Sequence, residues 1–242
     1  MESSDDQMNT NKLSERLAAV AEHIPENSSL ADIGSDHAYL PCHVVKKRAV
    51  PFAIAGEVAE GPFQSALKQV EFEGLSDRIL VRKGDGLEVI QPGEVKCVTI
   101  AGMGGPLIAS ILERGKSKLD EVTKLVLQPN IGASAVRKWL LENGWQLVSE
   151  TILKEDGKIY EVLAAERGNP DEPYSALMDA ELLFGPYLLQ EKNAAFREKW
   201  TLEKKNWQKI LEQLEQAGQS ETTNQKRQEM EKKIRMAEEV LS

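Results

Sequence analysis

The chain has 242 residues, a net charge of -9 and 41% hydrophobic residues. This is room for one domain of ordinary size plus a smaller appendage. No apolar run reaches bilayer-spanning length. The acidic, polar start over residues 1–6 has no basic region followed by an apolar core, so no secretory signal is expected there. Cys42 and Cys97 are the only cysteines, too few for a disulfide framework or a mainly thiolate metal site. The expected compartment is the cytosol. The acidic total argues against a general polyanion binder, yet the charge is uneven. Residues 191–242 hold 11 Lys+Arg and 10 Asp+Glu, against 19 and 29 in the remainder. A local patch can still supply phosphate contacts.

Leu13, Leu17, Val20 and Ile24 share one face and predict a helix over residues 11–23, stopped by Pro25 and Asn27. Strand-like runs then alternate with helical ones. Strands are predicted at 29–33, 52–55, 79–82, 97–101 and 124–127, and helices at 39–47, 61–73, 107–114 and 133–143. The strands are short, β-branched and almost continuously apolar, which suits burial on both faces of a parallel sheet. The alternation predicts an open α/β fold. Residues 145–153 and 158–166 flank Glu155, Asp156 and Gly157 and predict a β-hairpin closing the sheet with antiparallel strands.

Residues 168–173 form a polar, Pro-containing joint, which divides the chain into residues 1–168 and 169–242. Beyond it Phe196, Trp200, Trp207, Ile210, Leu214 and Ala217 fall on heptad seam positions, with Glu203 as a polar interruption. Residues 218–223 break the pattern, and Met230, Ile234, Ala237 and Leu241 make a second seam. An antiparallel coiled-coil hairpin is expected, either a dimerisation arm or a substrate-gripping one. Lys199, Lys204, Lys205, Lys209, Lys232, Lys233 and Arg235 are expected on its outer faces.

In an open parallel sheet, ligands bind beyond the carboxyl ends of the strands. The first strand ends in Asp32, Gly34, Ser35, Asp36 and His37, where Gly34 permits a tight turn close to a ligand. The second ends in Glu57, 23 residues past Gly34, the place for a carboxylate accepting from ribose hydroxyls. The third ends in Gly84, Asp85 and Gly86, with Asp85 expected to accept from an adenine amino group. The fourth ends in Ala101, Gly102, Met103, Gly104 and Gly105, bare backbone that a flat or charged group can approach. Singly each is weak; together they predict a nucleoside-cofactor site. A dinucleotide fingerprint requires glycines where Asp36 and Tyr39 stand. Asp36 would repel a pyrophosphate but suit a cation, so S-adenosylmethionine is favoured over a nicotinamide cofactor.

The runs of residues 30–41, 101–105 and 127–130 together resemble the bacterial TrmK family, tRNA methyltransferases acting on N1 of the adenosine at position 22. The resemblance covers residues 13–166 and continues through the helical tail. It implies a Rossmann-like class I methyltransferase domain, S-adenosyl-L-methionine as donor and tRNA as substrate. Adenine N1 carries an in-plane lone pair, so placement and acceptors for positive charge matter more than a strong base. Asp32 and Asp36 are the carboxylate candidates for charge stabilisation, with Asp32 alternatively holding the donor's ammonium or orienting a helix; Asn130 is the candidate for pairing with an adenine edge, and Tyr39 and Met103 for walling the pocket.

Cys42, His37 and His43 lie close in sequence without zinc spacing. No metal is expected; Cys42 reads as structural and His37 as ligand-adjacent. Lys46, Lys47 and Arg48 form a basic triplet, read equally well as a helix end or as phosphate contacts. A monomer without membrane attachment is expected. Three other readings stay open: a class I methyltransferase on another substrate, a non-catalytic binding protein with a coiled-coil oligomerisation arm, and a nucleotide-dependent oxidoreductase.

Overall fold

A computed structural model describes residue 10, residues 12–216 and residues 220–242. The expected acidic start at 1–6, Asn11, Ala217 of the first seam and the 218–219 part of the break lie outside the described residues. Seven strands form one sheet in the order β3-β2-β1-β4-β5-β7-β6. They are β1 (Leu30–Ile33), β2 (Ala53–Glu57), β3 (Ile79–Lys83), β4 (Cys97–Gly104), β5 (Lys124–Ile131), β6 (Trp145–Glu155) and β7 (Lys158–Arg167). The first five pair in parallel, and β7 pairs antiparallel with both β5 and β6. This is the open Rossmann-like sheet expected, with the predicted hairpin at its end. Asp156 and Gly157 both take positive φ at the hairpin turn, the geometry of a tight two-residue loop.

The crossover helices are α1 (Glu15–Glu22), α2 (Tyr39–Lys47), α3 (Glu60–Phe72), α4 (Gly105–Arg114) and α5 (Ala133–Glu142). Helix α1 starts later than periodicity predicts because Ser14 is its N-cap, accepting from the Leu17 amide. Ala31, Ile54, Val98 and Leu125 lie on one face of the sheet among one core cluster, and Leu30, Ala53, Cys97 and Val126 lie among the cluster on the other. Strand β3 departs from the expected two-sided burial: it is the sheet edge, and Leu80 is exposed. Cys42 is fully buried, and burial pushes its thiol up to about 12. In the basic triplet Lys46 pairs with Glu73 at 2.7 Å, and Arg48 donates to the Ile24 carbonyl oxygen. Those two are therefore engaged by partners within the fold. Among the described residues no helix is long and apolar enough to cross a membrane.

The chain continues through α6 (Met178–Phe184), α7 (Leu188–Glu191), α8 (Ala194–Gln216) and α9 (Glu221–Leu241). Lys192 meets the Val240 carbonyl oxygen, and Lys233 lies over the Trp207 ring, so α9 runs back along α8. Phe196, Trp200, Trp207 and Ala237 are buried with Phe184, Leu188 and Ile152 of β6. Ile210 departs from the expected seam and is 42% exposed. Residues 221–229, which begin α9, contain no apolar side chain to cover it. Of the expected outer-face cations Lys232 is exposed, whereas Lys199, Lys204 and Lys233 are only partly so, and all four face carboxylates. Lys199 bonds the buried Glu161, Lys232 pairs with Asp179, Lys233 with Glu229, and Lys204 approaches Glu238 at 4.0 Å.

At the root of α8 lies a buried ion cluster. Arg137 is fully buried and bonds Glu150 and Glu161. Burial opposes their charges, and Arg137 and Lys199 together hold the Glu161 carboxyl below its ordinary range. Gly185 fits against this pair because a Cβ there would come within 2.7 Å of the Arg137 guanidinium and of Glu150.

Candidate active site

The switch in strand order falls between β1 and β4, where neighbouring crossovers diverge and leave a crevice. Gly34 (φ +70°) turns the chain off β1. The Gly34 and Ser35 amides both donate to the Gly56 carbonyl oxygen, at 2.9 and 3.2 Å. Asp36, His37 and Ala38 then all take positive φ, a strained run of the kind that clusters at functional sites. A Cβ on Gly34 would come within 2.3 Å of Met103 Cε, so any larger residue must displace the end of that side chain as well as bear the positive φ.

A cavity of about 260 Å³ opens here. Asp32, Gly34, Ser35, Ala101, Gly102, Met103 and Asn130 line it, as expected from strand ends, together with Arg16 of α1 and Tyr160 of β7. Asp32 forms its floor. Its Oδ2 accepts from Ser35 at 2.6 Å and its Oδ1 from Thr99 at 2.5 Å. Burial pushes the Asp32 carboxyl up, against the pull of those two hydroxyls. Asn130 Nδ2 donates to the Gly102 carbonyl oxygen at 2.8 Å. Gln128, fully buried, accepts from Arg16 at 2.7 Å and from the Gly102 amide at 3.0 Å.

Glu57 ends β2 beside this loop. It is 5% exposed, and its Oε1 is buried with no hydrogen-bond partner. Burial raises its pKa, partly offset by a hydrogen bond from the Asp36 amide. A buried acceptor left unpaired is costly, so Glu57 fits a group that brings hydroxyl donors. With the Gly34 cradle, this matches the ribose of a nucleoside donor.

The remaining expected residues are distributed differently. Gly84 donates to the Glu57 carbonyl oxygen at 2.9 Å, so the end of β3 does adjoin Glu57. Asp85, however, gives its carboxylate to Arg114 at 2.7 Å, and with Gly86 it lines a separate cavity of about 100 Å³. Its carboxylate is half exposed and keeps lone pairs beyond those that Arg114 occupies. His37 is exposed and stacks on Tyr39, ring centroids 5.6 Å apart. Neither of these rings lines the 260 Å³ cavity. Arg16 and Tyr160 escaped a reading confined to strand ends, and no local signal marks them. Gln128 lay in a recognisable run, but its role depends on burial. Among the described residues no three His, Cys, Asp or Glu side chains cluster to hold a metal ion.

A family model described as TrmK, tRNA (adenine(22)-N(1))-methyltransferase, matches residues 30–239. The tRNA (adenine(22)-N(1))-methyltransferase of Bacillus subtilis (strain 168) is 52% identical over 97% of this chain and 99% of its own length. The crystal structure of the B. subtilis M1A22 tRNA methyltransferase TrmK superposes with a TM-score of 0.92 at 50% identity, covering 96% of this chain and 100% of the other. Streptococcus pneumoniae Sp1610 in complex with S-adenosyl-L-methionine gives a TM-score of 0.83 at 42% identity, covering 95% and 99%.

Proposed function

Because the chain belongs to the TrmK family of tRNA (adenine(22)-N(1))-methyltransferases, we propose that the crevice between β1 and β4 is where its donor and target adenine meet. The protein transfers a methyl group from S-adenosyl-L-methionine to N1 of adenosine 22 of tRNA. The observation that carries the placement of the donor is the orphaned Glu57 Oε1 beside the Gly34 turn.

The bound donor supplies a methyl group made electrophilic by its sulfonium. Glu57 accepts the ribose hydroxyls, and the 34–35 and 101–103 backbone lies along the donor. Arg16, the one basic residue lining the cavity among the described residues, is the partner for the donor's carboxylate. Asp32, locked by Ser35 and Thr99, sets a negative floor for its cationic end. Adenine N1 attacks through its own lone pair, so the N–CH₃ bond forms as the S–CH₃ bond breaks and no prior deprotonation is needed. The methylated ring is cationic and later releases a proton to water. Asn130 positions the adenine edge, and rate depends chiefly on holding N1 in line.

Residues 1–168 act as the methyltransferase domain and residues 169–242 as a helical arm. The α8–α9 pair serves as a short antiparallel coiled coil that holds tRNA. We take the working protein to be a cytoplasmic monomer. The experiment is methyl transfer from labelled donor to total tRNA, followed by nucleoside analysis. Label in 1-methyladenosine is expected; transfer to another nucleoside or none overturns the reading.

A further inference from the structure

A second and larger cavity, about 470 Å³, runs along the junction between the catalytic sheet and the arm. Its walls come from the end of β5 (Asn130, Ile131), the hairpin at Ile159, and α8 (Trp200, Leu202, Glu203). Asn130 lines both this groove and the donor cavity, so the two spaces adjoin at that residue.

The lining has an unusual composition for a water-facing groove. Ile131 is 73% exposed and Leu202 is 51% exposed. Trp200 is buried, and its Nε1 has no hydrogen-bond partner. Glu203 adds a carboxylate that takes part in no ion pair among the described residues. Glu161 and Lys199 line it too, but they are bonded to each other; apolar walls with one unmet N–H donor and one unpaired carboxylate match a nucleobase, whose faces are apolar and whose edge alternates acceptors and donors.

We propose that this groove seats a base next to the target adenosine in the RNA, making Ile131, Leu202 and Glu203 substrate-specificity residues. The inference rests on the tRNA methyltransferase reading. For N1 to reach the donor the target must leave its stack, and this strips a neighbouring base of its stacking partner. A slot with apolar walls beside the catalytic cavity offsets that loss. One phosphodiester tethers the two nucleotides, and one residue, Asn130, joins the two cavities. Placing half of the slot on α8 also makes the arm's position matter to catalysis without any arm residue touching the donor.

The test uses the full-length chain with the variants Ile131→Ala and Leu202→Ala, both at exposed positions that the fold tolerates. Each should lower kcat/KM for a tRNA transcript about tenfold, with donor affinity by calorimetry unchanged. A transcript abasic at nucleotide 21 or at nucleotide 23 should lose a similar factor with the wild-type protein. Combining that transcript with Leu202→Ala should add no further loss, the signature of one shared contact. Additive losses at both positions, or unchanged kinetics in both variants, overturn the proposal. Loss of donor affinity in these variants overturns it as well. A dimer that becomes a monomer on Leu202→Ala makes the groove the seat of a second copy instead. If the wild-type protein methylates no tRNA, the activity reading itself has failed and takes the proposal with it; if it does methylate, the variants judge the groove alone.

Discussion

Asn130 Nδ2 donates to the Gly102 carbonyl oxygen at 2.8 Å, tying the end of β5 to the glycine run of β4. Its Oδ1 accepts from Gln128 at 3.3 Å, so the amide has a set orientation before any base arrives. Asn130→Ala should lower single-turnover methyl transfer about 100-fold, the scale of one preorganised polar contact. Donor affinity should move by no more than a few-fold. Equal losses in both would assign Asn130 to the donor site. Tyr39→Ala is the informative companion: Tyr39 stacks on His37 outside the cavity, so a loss confined to transfer would require the loop to move when tRNA binds.

Glu57→Gln should weaken S-adenosylmethionine by about 1–3 kcal/mol, measured by calorimetry, and should stabilise the donor-free protein at neutral pH. The sign follows from burial, which raises the Glu57 pKa. Below the ordinary value of 4.5 the group is neutral in folded and unfolded chains alike. As pH rises past that value the unfolded chain ionises first, and folding loses stability up to the raised folded value. Hydroxyl donors favour the carboxylate, so donor affinity should fall as pH drops through the raised value, and the variant should lack that dependence. A wild-type affinity flat across the window would remove Glu57 from the ribose site.

Arg137→Met should destabilise the fold by about 3–5 kcal/mol, because it leaves Glu150 and Glu161 buried without their shared cation. Thermal unfolding measures it. The same cluster predicts that truncation after Arg167 will not yield a sound donor-binding domain. It removes Lys199 from Glu161, the Tyr187 amide from Glu150, and the apolar cover of Ile152. A truncated protein that unfolds as cooperatively and as late as the full chain would show that the arm is separable after all.

Lys205, Lys209 and Arg235 are exposed and in no ion pair among the described residues. If the arm holds tRNA phosphates through them, each substitution to Ala should lower the slope of log affinity against log salt by about one. Lys199→Ala is the control. Lys199 serves Glu161, so the variant should lose stability and keep the salt slope. Filter binding across a salt series measures both, and slopes unchanged in all three exposed variants would argue that the arm does not grip the RNA backbone.

Much of this is legible in the sequence. Helix α2 occupies Tyr39–Lys47 as periodicity predicts, and Gly34 and Glu57 stand at the ends of β1 and β2 as expected, whereas β4 runs on through the expected glycine turn to Gly104 because it keeps pairing with β5 as far as Ile131. Periodicity and turn chemistry are local, so they survive into the fold unchanged. The site's other half is not local. Arg16 reaches Gln128 across 112 residues, and the sheet order that brings α1, β5 and β7 to one crevice leaves no mark on any single segment. The same holds for Asp85 and Arg114, which look like a ligand acceptor and a helix-end cation until α4 packs beside the end of β3. The arm shows the limit most clearly. Its seam residues were readable, but that Lys199 is half-buried and bound to Glu161 depends on α8 docking against β7. Which charges are free is decided by burial and by partners distant in sequence, and those exist only once the chain is folded.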